Sequence, residues 1–247
     1  MTGTIRIGVG GWTYEPWRGT FFPEGLPHSQ EITFATRAMT AIEVNGTYYR
    51  SQTPATFAKW AQAAPDGFIY ALKASRFCTN RRVLAEAEGS IAKFVGQGIA
   101  ELGDKLGPIL WQFMATKAFD PDDFGAFLAL LPDSVDGLKL RHAVEVRHES
   151  FVDPAFYALA RKAGVAIVYA DKPDAPTIDE ATGAFTYARF QATREDVETG
   201  YDTGELADIA DRLRGWAARG DVFAFMIAGA KVRNPAAAQA LIGLVGR

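Results

Sequence analysis

Three acidic and three basic side chains occupy one kind of position in this chain. Glu43, Glu145 and Asp171, with Lys73, Arg147 and Arg189, each come late in a short apolar stretch. In A-V-E-V-R-H-E-S (143–150), Glu145 and Arg147 fall on one face of an alternating strand pattern, opposite Val144, Val146 and His148. Glu43 and Asn45 likewise oppose Ile42 and Val44, and Lys73 shares a face with Ile69 and Ala71. Gln112 shares one with Leu110, and Tyr187 with Arg189. Carboxylates brought together can act as general acid and base, or as nucleophile and acid in glycoside hydrolysis. A lysine and two arginines converging on one place suit a phosphate or carboxylate, which arginine binds bidentately. The plainer alternative is mutual neutralisation, three charges against three, in a polar plug.

The elements that must carry these residues are eight apolar runs: 5–11, 41–45, 68–75, 106–113, 142–148, 165–171, 185–191 and 221–228. Most of the segments between them have helical composition. The clearest is 204–217, where Leu206, Ile209, Leu213 and Trp216 form one stripe among Asp208, Asp211, Arg212 and Arg214. Segments 54–64, 85–102, 121–131, 154–163 and 235–245 read the same way, several opened by proline. Strands alternating with helices imply parallel βαβ units, and eight of them predict a single α/β domain, a closed (β/α)8 TIM barrel spanning 1–247. Between Asp171 and Tyr187 the sequence has little helical character, so an irregular loop is expected in place of the helix between strands six and seven, over the barrel mouth. A doubly wound dinucleotide fold fails, because the third glycine of G-x-G-x-x-G falls on Thr13. In a barrel the working residues stand at the C-terminal strand ends, where all of these polar residues fall.

Length and composition agree with this reading. The chain has 247 residues, 48% hydrophobic and 22% charged, with a net charge of −3. That charge argues against bulk attraction to nucleic acid or an anionic membrane. No apolar run reaches the length of a membrane span, and M-T-G-T-I-R-I-G-V-G-G enters a strand pattern without a secretory core. The single cysteine, Cys78, precludes an internal disulfide and fits a cytoplasmic location.

Other chemistries find less support. Three histidines, His28, His142 and His148, show no metal-ligand spacing. Glu43, Glu145 and Asp171 could hold Mg²⁺ through oxygen, but three neighbouring cations oppose it, so no metal and no cofactor are expected. Cys78 reads as a small buried residue. Arg76, Arg81 and Arg82 could extend a basic rim after the third strand. Of the aromatics Trp12, Tyr14, Trp17, Tyr48 and Tyr49, most should pack as a lid, while Trp12 and Tyr48 are candidates to stack on a sugar or base.

The stretches G-G-W-T-Y-E-P-W-R-G-T-F-F-P (10–23), A-I-E-V-N-G-T-Y-Y-R (41–50), Y-A-L-K-A-S-R-F (70–77) and V-E-V-R-H-E-S-F (144–151) carry a resemblance to the YecE-like family. That bacterial and archaeal group is named as a domain of unknown function. The resemblance covers almost the whole chain and implies a TIM barrel, without an established reaction. The chain departs from the family pattern at several strand ends. Asn80 stands where the family has histidine, Gln191-Ala192 where it has His-Gly, and Ile227-Ala228 where it has two asparagines. Met114 and Ala115 replace the two prolines after the fourth strand.

The expected function is therefore a metal-independent enzyme acting on a small anionic substrate, sugar-like or nucleotide-like, by acid/base chemistry. Glu43, Glu145 and Asp171 are the catalytic candidates. Lys73, Gln112, Arg147, Arg189, Asn45, Trp12, Tyr48 and Tyr187 are the substrate-binding ones. A non-catalytic ligand-binding or regulatory barrel is the alternative, favoured by the missing histidines and asparagines. A nucleic-acid-processing role rests on the basic rim and fold analogy alone.

Overall fold

Each alternating run becomes a strand, because only an extended backbone sends its polar and apolar residues to opposite faces. The structure, a computed structural model describing residues 2–246, contains nine parallel strands in one sheet. They are β1 (Ile5–Gly10), β2 (Ala41–Val44), β3 (Ile69–Lys73), β4 (Leu106–Gln112), β5 (His142–Glu145), β6 (Ala166–Ile167), β7 (Tyr169–Ala170), β8 (Phe185–Phe190) and β9 (Asp221–Met226). A small antiparallel hairpin, Ser134–Val135 with Leu138–Lys139, precedes β5.

The strand order is β6-β5-β4-β3-β2-β1-β9-β8-β7. The two ends of this sheet, β6 and β7, follow one another in the chain with only Val168 between them. The Val168 N–H still donates to the Val144 carbonyl at 3.0 Å, while Tyr169 and Ala170 pair with β8. The sheet thus curls into a nearly closed barrel, and the ladder changes partner at Val168.

Two apolar layers follow from the alternation. Outward-facing Ile42, Val44, Leu72, Ile109, Trp111 and Val144 pack beneath the helices. Inward-facing Ala41, Ala71, Ala143, Ala166 and Ala170 meet Phe185, Tyr187, Phe223 and Phe225, so large side chains from β8 and β9 fill the space that the alanines leave. Gly8 belongs to the same scheme. A Cβ there would lie 1.7 Å from the Ala41 carbonyl oxygen, so β1 and β2 can approach as they do only with glycine at that position.

Helices Pro54–Ala63, Pro121–Ala129 and Pro154–Lys162 each start with proline in the first turn, after Thr53, Asp120 or Asp153 caps the free N–H groups. Helix Thr203–Ala217 carries a reciprocal Asp202–Glu205 capping box and buries Leu206, Ala210, Leu213 and Trp216. The helix expected over 85–102 is broken. It runs only from Glu88 to Val95, and Gly98, at φ 101°, lies against Pro54 before a 3₁₀ segment begins. No helix among the described residues is long and apolar enough to cross a membrane.

The segment after β7 is irregular, as its sequence indicates, and from Ile178 onward it packs on the outside of the barrel. Thr177 Oγ1 donates to the Ala170 carbonyl, and Thr182 Oγ1 donates to that of Val165 while accepting the Ile167 N–H. Ile178 is buried, and Asp179 receives the Trp216 indole N–H at 3.0 Å. Side-chain hydrogen bonds here satisfy the backbone of β6 and β7, and the route is set by that pairing.

Candidate active site

Strand register assembles the site. Gln112 is the partner of Glu145 across β4 and β5, Gly10 that of Glu43, and Lys73 that of Leu110. All of these residues belong to the C-terminal ends of parallel strands, so their inward side chains meet at one mouth. Arg189 is the hub, 2% exposed. Its Nε donates to Glu43 Oε2 at 3.0 Å and its Nη2 to Glu43 Oε1 at 3.1 Å, a bidentate fork. Its Nη1 donates to Glu145 Oε2. The Tyr187 hydroxyl donates to Glu43 Oε2 at 2.8 Å, Gln112 Nε2 to Glu145 Oε2 at 2.9 Å, and Arg147 Nε to Glu145 Oε1 at 2.8 Å. Every oxygen of the two buried carboxylates is therefore engaged by a donor.

Electrostatics follow from this pairing. Burial alone would raise the Glu145 carboxyl, but the charges of Arg189 and Arg147 and the hydrogen bond from Gln112 outweigh it and hold the group at about 2. Burial likewise opposes the Arg189 charge, and Glu145 and Glu43 more than restore it. Tyr187, fully buried against Glu43, is driven well above the ordinary phenol range, first by burial and then by the Glu43 charge.

Lys73 behaves differently. It is 8% exposed, and among the described residues its Nζ has neither a hydrogen bond nor an ion pair. Its contact is the face of Tyr48, 4.3 Å from Nζ to the ring centroid. Asn80 Nδ2 steadies that ring by donating to the Tyr48 hydroxyl at 3.1 Å, and Thr47 Oγ1 donates to the Lys73 carbonyl at 2.7 Å. Burial and then the Arg189 charge lower the Lys73 amine to about 8, with Glu43 and Glu145 pulling the other way and Arg147 adding to the depression. Arg147 is partly exposed, and its two terminal nitrogens have no partner among the described residues.

The other candidates are placed as follows. Asp171 stands apart from the Glu43–Arg189–Glu145 cluster, accepting the Gln191 backbone N–H and the Tyr201 hydroxyl. Burial raises its carboxyl. Asn45 Nδ2 reaches only the Glu43 carbonyl, at 3.4 Å. Trp12 packs edge-on against Trp60 and Tyr70, on the helix side rather than in the mouth. Trp17 is buried, with its indole N–H on the Lys231 carbonyl at 2.8 Å, and Lys231 lies over Tyr14. His142 is buried at the far end and bridges Trp111 Nε1 and the Pro132 carbonyl. Burial pushes the Cys78 thiol up to about 12, which leaves it inert.

Two further residues escaped sequence reasoning. Gln191 continues the inward alternation of Tyr187 and Arg189, a signal that was present; it is buried, and its Nε2 lacks a hydrogen-bond partner among the described residues. Tyr201 comes from a loop and carries no strand pattern to announce it. Ala228 holds φ 61°, a conformation that asparagine adopts more readily than alanine.

Among the described residues, no group of three His, Cys, Asp or Glu side chains is arranged to hold a metal ion. No curated protein matches the chain. Solved structures do. Two crystal structures of a DUF72 family protein from Enterococcus faecalis V583 are 17% and 18% identical, with TM-scores of 0.77 and 0.75. The matches cover 98% and 99% of this chain, and 95% and 99% of those chains. A DUF72 family protein from Thermotoga maritima MSB8 is 22% identical, with a TM-score of 0.76 over 96% of both chains. At these identities the likeness speaks for the fold alone. The family model adds sequence evidence, and on its match to residues 6–247 the chain belongs to the DUF72 family, proteins of unknown function.

Proposed function

We propose that this chain is a divergent YecE-like (β/α)8 barrel enzyme, with β6 and β7 as the two halves of its sixth strand. In this reading it acts in the cytoplasm, without a metal, on a small phosphorylated or carboxylated substrate. One observation carries the reading: the mouth holds three cations against two buried carboxylates, and the surplus charge is the unpaired Lys73. The free terminal nitrogens of Arg147 and the Lys73 amine receive the anion. Glu43 and Glu145, each saturated by donors, hold Arg189 and Arg147 in position rather than move protons. That saturation also leaves a metal no free carboxylate oxygen on either residue. The proton-exchanging group near neutral pH is Lys73, and Asp171 orients the turn after β8 through Gln191. The saturated carboxylates equally suit a non-catalytic binding barrel. Turnover of a metabolite panel, lost in Lys73→Met, separates the enzyme from that alternative.

Phosphate or sulfate at about a hundredfold excess over Kd should stabilise the folded state by ~2.7 kcal/mol and raise Tm by several degrees. The response should fall in Arg147→Ala and persist in Arg6→Ala, near the opposite end of β1. It should also weaken as pH rises through about 8, where Lys73 loses its charge. Thermal denaturation of the three proteins across that range checks this. Equal shifts in all three, at every pH, would mean general salt stabilisation and would remove the anion site.

A further inference from the structure

Lysines that serve only as counter-ions sit on a carboxylate. Lys73 does not, although Glu43 and Glu145 are charged and close enough to influence it. Both carboxylates are taken by Arg189, Arg147, Gln112 and Tyr187, so the amine, buried under the Tyr48 ring, is left without a hydrogen-bond or ion-pair partner among the described residues. Desolvation and adjacent cations are the two conditions that make a lysine amine nucleophilic at neutral pH. Arg189 and Arg147 supply the cations, and 92% burial is implied by the 8% exposure of Lys73.

We propose that Lys73 captures a carbonyl carbon: its amine forms an imine with an aldehyde or ketone group on the substrate, while Arg147 holds that substrate's anionic group. The inference rests on the anion reading above and narrows the substrate class to carbonyl-bearing anions, such as oxo acids or phosphorylated aldehydes and ketones.

The step balances. The ammonium gives up one proton, and the Nζ lone pair then attacks the carbonyl carbon. The π electron pair passes to oxygen, which takes one of the two N–H protons to form a neutral carbinolamine. The proton first released returns to that hydroxyl, which leaves as water while nitrogen's electron pair forms the C=N bond. Lysine ammonium and carbonyl thus become iminium and water, with no redox change. The iminium keeps its single positive charge, so the balance with Glu43, Glu145, Arg147 and Arg189 is unaltered by the reaction.

Full-length protein would be incubated with glyoxylate or with uncharged acetaldehyde in the presence of cyanoborohydride, which delivers hydride to the imine carbon and fixes it as a secondary amine. Peptide mass mapping then reads the rate at each lysine. At pH 7.5 Lys73 should be labelled about tenfold or more faster than exposed Lys59 and Lys93. Its pH profile should have a midpoint near 8, set by burial beneath Tyr48 and by the charges of Arg189, Glu43, Glu145 and Arg147 around it. Glyoxylate should outpace acetaldehyde at Lys73 but not at the surface lysines. Rapid Lys73 labelling by both probes equally upholds the amine and overturns the anion reading. Lys73 labelling no faster than Lys59 and Lys93 with both probes overturns the imine, whatever the anion response shows.

Discussion

Arg189→Met is expected to destabilise the protein by about 3–5 kcal/mol, the cost of leaving buried charges without their partner. For a chain of this size that lowers Tm by roughly 10–15 °C. The hub is 2% exposed and bonds both carboxylates, so its removal leaves Glu43 and Glu145 facing each other with only Arg147 and Lys73 near. The loss should depend on pH. In the native chain Glu145 is held at about 2, below the ordinary 4.5, so its contribution is complete above 4.5 and lost as pH falls through about 2. Without Arg189 the Glu145 carboxylate binds a proton more readily, and the deficit of the variant should narrow as pH drops below about 5. Arg189→Lys keeps the charge but not the fork, and should fall between the two. Urea denaturation from pH 4 to 7 checks this; a deficit under about 1 kcal/mol at pH 7 would mean that the cluster is not holding these charges.

Lys73→Met should move stability in the opposite direction. A lysine whose amine falls from 10.5 to about 8 on folding costs about 3 kcal/mol wherever it must stay protonated in both states. The sign follows from proton counting. Between about 8 and 10.5 the unfolded chain binds the proton that the folded chain has released, so the native protein gains stability as pH rises through that window. Below it the full penalty applies. Methionine fills a similar volume without charge, so the variant should be more stable than the native chain at pH 7, by up to about 3 kcal/mol less the lost cation–π contact with Tyr48. That advantage should disappear above pH 10.5. Such a cost to stability is what the proposed role of Lys73 in chemistry, rather than in folding, predicts. A variant less stable than the native chain at pH 7 would contradict this argument.

The sequence made the mouth legible because strand alternation is a two-fold signal and survives translation into register. Glu43, Lys73, Gln112, Glu145 and Arg189 meet because each follows an inward alanine, leucine or tyrosine by two positions. Pairing partners were less legible. Nothing in A-V-E-V-R says that Arg147 bonds its own neighbour Glu145, or that Arg189 crosses the barrel to Glu43. These choices depend on side-chain reach and on which lone pairs remain free. Asp171 directly follows β7, near the strand end where it was expected, yet its partners come from the turn at Gln191 and from the loop residue Tyr201, neither adjacent in sequence. Trp12 was ambiguous because an aromatic after a strand can face either the mouth or the helices, and Trp60 and Tyr70 decide that locally. The break at Gly98 depends on Pro54 lying against it, a contact between elements far apart in the chain.

The central claim is that Lys73 is an unpaired, readily deprotonated amine awaiting an anionic partner. The most direct measurement is the titration of its side chain by NMR in protein with isotopically labelled lysine, assigned with Lys73→Met, with and without sulfate. The predicted result is a midpoint near 8 that climbs when sulfate is added, because an anion favours the ammonium. A midpoint near the ordinary 10.5, unmoved by sulfate, would contradict both the charge balance of the mouth and the chemistry assigned to it.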